Sequence, residues 1–86
     1  DRHGASALIK ATENGHYKVI EYLLKKGADV DHRDKAGSTA LLYACIIGDK
    51  SIVELLLKYN ANVNSKDDSG KTPLSEAKFF KNEEIV

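Results

Sequence analysis

The feature that most limits what this chain can fold into is its period. Shifting the sequence by 33 positions pairs Asp1 with Asp34, Gly4 with Gly37, Ala7-Leu8 with Ala40-Leu41 and Ala11 with Ala44. The match runs on through Gly15 and Gly48, Glu21 and Glu54, Leu23-Leu24-Lys25 and Leu56-Leu57-Lys58, Ala28 and Ala61, and Val30 and Val63. A second shift pairs Asp34, Gly37, Thr39, Leu41 and Ala44 with Asp67, Gly70, Thr72, Leu74 and Ala77. Self-similarity at such a period marks a stack of small supersecondary units, none of which can bury its apolar side alone. The units fall at 1–33, 34–66 and a partial third at 67–86.

Each full unit reads as two short helices followed by a polar turn. Ser6, Thr39 and Thr72 stand where an N-cap hydroxyl accepts an orphan backbone N–H, and Pro73 follows at the first helical position, where its missing donor costs nothing. Gly15 and Gly48 end the first helix. The second carries Val19, Ile20, Tyr22, Leu23 and Leu24, then Ile52, Val53, Leu55, Leu56 and Leu57, an apolar stripe at helical spacing. Gly27 stops the first copy and Asn60 the second, asparagine being the usual substitute for glycine in left-handed backbone. The segments ending at Gly37 and Gly70 favour turns.

These residues resemble the ankyrin repeat. DSGKTPL (68–74), NGH (14–16) and LLKKGADVD (23–31) carry the likeness, which covers the whole chain. It implies an all-α solenoid of stacked antiparallel helix pairs with hairpin-like loops projecting from one edge. The family's histidine after T-P-L is Ile9, Leu42 and Ser75 here, so the hydrogen-bond network of that residue is expected to be missing in all three copies. Neither end reads as a polar capping repeat, which suggests a segment of a longer array.

At 100° per residue, the first helix of the second copy gathers Leu41, Ala44, Cys45 and Gly48 on one narrow face of small groups. Ile46, Tyr43 and Ile47 lie opposite, at about 140°, 200° and 240° from Leu41. Phe79 and Phe80 occupy the isoleucine angles in the third copy, where Glu76 takes Tyr43's, while the first copy has Lys10, Glu13 and Asn14 there. Tyr43, Ile46, Ile47, Phe79 and Phe80 therefore read as an apolar patch, a common mark of a partner site. The competing reading is that Ile47 and Phe80 pack sideways between repeats.

The family's partner contacts come mainly from the loop fingers and the inner helix face. Carried over, the finger positions are Arg33, Lys35, Ala36 and Ser38, then Lys66, Asp68, Ser69 and Lys71. Their basic lean suits an acidic partner segment, and the helix face an apolar one. Asn64, in a turn and eight residues after Leu56, resembles the asparagine hydroxylated in cytosolic ankyrin repeats; its plainer role is to stabilise the turn.

Composition narrows the alternatives. Thirteen basic and thirteen acidic residues leave no net charge, removing the simplest case for nucleic acid or an anionic membrane. No apolar run is long enough to span a bilayer. One cysteine, Cys45, fits a reducing compartment, cytosol or nucleus. His3, His16 and His32 fit no zinc spacing with it, and no serine stands in a base-assisted constellation. No cofactor, metal or catalytic residue is expected. The functional expectation is a non-catalytic protein-interaction module; a structural spacer, or an accessory targeting region of a larger enzyme or channel, are the alternatives.

Overall fold

The computed structural model describes residues 5–76. Five helices follow one another: α1 (Ala5–Glu13), α2 (Tyr17–Lys25), α3 (Ala40–Ile47), α4 (Lys50–Lys58) and the short α5 (Pro73–Glu76), with no strand among the described residues. α1 pairs with α2 and α3 with α4. α1, α3 and α5 line up as an inner layer in close contact, whereas the outer helices α2 and α4 touch only lightly.

Local chemistry sets the helix ends. The Thr39 hydroxyl accepts the Leu42 N–H (3.2 Å), and Asp49 caps α4 in the same way by accepting the Ile52 N–H (3.2 Å), a cap that a search for hydroxyls alone overlooks. Ser6 is not a cap: α1 begins at Ala5, so Ser6 lies inside its first turn. Thr72 exchanges bonds with Ser75, whose N–H donates to the threonine hydroxyl while its own hydroxyl accepts the Thr72 N–H (3.0 Å each). This is a reciprocal cap.

The second helices end in one backbone pattern. The Ala28 N–H donates to Leu23 and the Gly27 N–H to Leu24; one period later Ala61 donates to Leu56 and Asn60 to Leu57. This paired arrangement needs a left-handed residue. Gly27 supplies it at φ 93° and Asn60 at φ 68°, a conformation asparagine tolerates better than other side chains.

One apolar core runs through both full repeats. Leu8, Ala11, Ile20 and Leu24 share it with Leu41, Ala44, Cys45, Ile52, Val53 and Leu56. Gly48, expected on that packed face, is exposed and serves as the left-handed C-cap of α3 (φ 86°). Ile9 and Leu42, in the family's histidine position, are buried as plain hydrophobes. Thr12 is fully buried and returns its hydroxyl to the Leu8 carbonyl (2.8 Å). No buried side-chain nitrogen or oxygen among the described residues lacks a partner.

The stacking shows in matched positions. Ile52 and Leu55 are 1% and 5% exposed beneath the first repeat, while their counterparts one period earlier, Val19 and Tyr22, are 47% and 60% exposed. Burial therefore comes from the neighbouring repeat and not from the helix pair itself. Replacing Leu41, fully buried in this shared core, by alanine should cost about 3 kcal/mol. Urea unfolding followed by circular dichroism reads that loss directly.

Candidate partner-binding surface

The loops between repeats are built on one aspartate each. The Asp34 Oδ1 accepts the N–H groups of Ala36 and Ser38 (2.9 Å each), and the Asp34 N–H donates to the Ser38 carbonyl (2.9 Å). Asp67 repeats this with Ser69 and Lys71 (2.8 Å each). A short carboxylate that binds backbone two and four residues ahead holds each finger as a fixed hairpin.

Neighbouring fingers are stitched together. The Asp68 N–H donates to the Ala36 carbonyl (2.9 Å), and Asn62 donates its N–H to the Asp31 carboxylate (2.9 Å). Arg33 donates from Nε to the Gly37 carbonyl (3.0 Å) and from Nη2 to the Lys66 carbonyl (2.6 Å). Gly37 sits at φ 78°, and a Cβ there would fall 2.7 Å from both Arg33 Nη2 and an Asp68 carboxylate oxygen. Only glycine fits that gap.

Two finger positions are engaged within the loops. Ser38 is 6% exposed, and its N–H is held in the Asp34 hairpin. Arg33 is exposed, but its guanidinium already bridges two fingers. Lys35, Lys66, Asp68 and Lys71 are exposed along the finger row. Asn64 is exposed in its turn and donates its N–H to the Asn62 side chain (2.8 Å).

Tyr43 joins α3 to the finger. Its hydroxyl donates to the Asp34 Oδ2 (2.5 Å), so this side of α3 faces the loop row. Ile46 and Ile47, on the same side, are 45% and 54% exposed. Sideways burial does not account for Ile47 within the described residues; Phe79 and Phe80 lie outside them. Beside the first finger, Ile9, His32, Arg33, Asp34 and Lys35 line a recess of about 350 Å³. Ile9 and His32 carry no motif that singles them out in sequence, because a buried isoleucine and a turn histidine look ordinary until the fold brings them together.

The tyrosine–aspartate pair shifts both groups. Burial pushes the Asp34 carboxyl up, but the bonds from Tyr43, Ser38 and Ala36, with His32 nearby, outweigh it and hold the carboxyl below its usual range. The bond to Asp34, followed by burial, holds the Tyr43 phenol above its usual range. Burial pushes the Cys45 thiol up to about 12, which removes it as a nucleophile at neutral pH. Among the described residues no group of three or more histidine, cysteine, aspartate or glutamate side chains could hold a metal, and no helix is long and apolar enough to cross a membrane.

The family model for ankyrin repeats, three copies, matches residues 8–86. The chain belongs to the ankyrin repeat family. Ankyrin repeats are generally protein–protein interaction modules and a non-catalytic fold. No curated protein matches the chain. In this ankyrin repeat chain the Tyr43–Asp34 bond ties α3 to the first finger.

Tyr43→Phe should cost about 1 kcal/mol at neutral pH, the usual worth of such a hydrogen bond. Asp34's lowered value stabilises the fold above the ordinary carboxylate range, and that contribution fades as pH falls through the folded-state value. Tyr43's raised value stabilises below the ordinary phenol range and fades as pH climbs past it. The variant should therefore lose less stability than the parent on acidification, measured by urea titrations from neutral pH down to about 2.

Proposed function

We propose that this ankyrin segment is a non-catalytic scaffold that holds one partner protein against its finger row and inner helix face. The observation that carries the reading is the exposure of Ile46 and Ile47 beside Tyr43, at positions that are Glu13 and Asn14 in the preceding repeat. A repeat that needed this side only for solubility would keep it polar. Lys35, Lys66 and Lys71 border the same surface, which suits a partner segment carrying apolar side chains next to acidic ones. Phe79 and Phe80 extend the same sequence pattern and belong to this proposal.

A second reading has its own support. Val19 and Tyr22 lie bare where Ile52 and Leu55 are covered by a neighbouring repeat, as expected of a unit that stacks inside a longer array. A cytosolic or nuclear setting is part of the main proposal, supported by the single buried thiol of Cys45. Hydroxylation of Asn64 is part of it too, supported by the exposure of that side chain; mass spectrometry of protein recovered from cells that returns only the unmodified peptide removes it.

The double variant Ile46→Ser/Ile47→Ser separates gripping from stacking. Both side chains are about half exposed, so the variant should stay folded with a loss of about 2 kcal/mol. Photo-crosslinking from position 43, with partners identified by mass spectrometry, should capture a discrete partner in the parent and lose it in the variant. An unchanged set of crosslinks in a folded variant overturns the inner-face grip.

A further inference from the structure

The outer side of the stack carries a separate feature. Because α2 and α4 touch only lightly, the gap between them is a groove of about 550 Å³. Tyr17 and Glu21 line it from α2; Asp49 stands at the N-terminus of α4, and Glu54, Leu55 and Lys58 line it from α4 itself. Leu55 is almost wholly buried and forms an apolar floor, while the Tyr17 ring is 38% exposed along one wall. Three carboxylates meet a single ammonium.

Two of those carboxylates, Glu21 and Glu54, are uncommitted. Glu21 is half-buried, and neither it nor Glu54 has an ion pair or a side-chain hydrogen bond among the described residues; this includes Lys58, one turn along from Glu54. Asp49 uses one oxygen to cap α4. Glu21 and Glu54 are equivalent positions one period apart, and each lines the groove from its own helix.

We propose that this outer groove docks an arginine side chain from a basic peptide segment, stacked on Tyr17 and forked between Glu21 and Glu54. A guanidinium is planar, stacks on aromatic faces and presents several donors in a rigid fork. Its aliphatic stem suits the Leu55 floor. An ammonium has no such fork and reaches only one carboxylate well. Neither Ile46 nor Ile47 lines the groove.

The test is an NMR titration of the whole 86-residue chain with a capped Ala-Arg-Ala-Arg-Ala peptide. Lysine and citrulline versions serve as comparison. The arginine peptide should shift the Tyr17, Glu21 and Leu55 amides saturably, and the neutral citrulline version should bind about tenfold more weakly or less. Glu21→Gln/Glu54→Gln should weaken the arginine peptide about tenfold, and Tyr17→Leu about threefold, with circular dichroism melts unchanged. Ile46→Ser/Ile47→Ser should leave this affinity intact, which keeps the groove distinct from the inner-face grip. Equal binding of arginine and citrulline peptides, lysine binding as tight as arginine, undiminished affinity in the double glutamine variant, or shifts confined to the inner face would each overturn the proposal.

Discussion

A helix pair has more apolar surface than it can hide. The structure depends on that shortage, since the bare flank of one pair is closed only by the next. Matched positions show it without any change of residue class: Ile52 and Leu55 are buried, whereas Val19 and Tyr22, apolar or aromatic at the same register, are open. A chain of this size hides only about 60% of its unfolded surface, and here that burial is shared across the repeat boundary through Ile20, Leu24, Val53 and Leu56.

Stacking by oily contact alone leaves freedom to slide and twist, and the loops remove it. Asp34 is the joint. One oxygen fixes its own hairpin, the other takes the Tyr43 hydroxyl from the inner helix, and the finger then binds the next through Arg33 and the backbone of Ala36. Register between repeats is thus set by directional bonds at the edge of the stack, while its depth is set by packing. The surface we propose for a partner sits where these meet. Its shape is inherited from the finger row and its chemistry from the one side of α3 that stacking leaves alone.

Much of this was legible in the residues. The period, the Thr39 cap, the left-handed ends at Gly27 and Asn60, and the small-residue side of α3 each follow from a local rule, because each depends on neighbours within a turn or two. What escaped depends on distance or context. Ser6 satisfies the capping pattern, yet the helix starts one residue before it. Ser38 and Arg33 look like loop surface, but one is folded into an aspartate hairpin and the other reaches 33 residues ahead. Long polar side chains have too many possible partners for sequence to choose among them. The isoleucines of the inner face were readable from comparison between copies, since two repeats with one fold should differ only where stacking does not constrain them.

The uneven contact between layers has a mechanical side. Inner helices are pressed together and outer ones barely meet, so the assembly is stiff against closing toward its fingers and compliant against fanning open on its back. A pull along the array would be absorbed first by the widening of the gap between α2 and α4, with the finger hydrogen bonds acting as the hinge line. The molecule behaves as a leaf spring with a riveted edge.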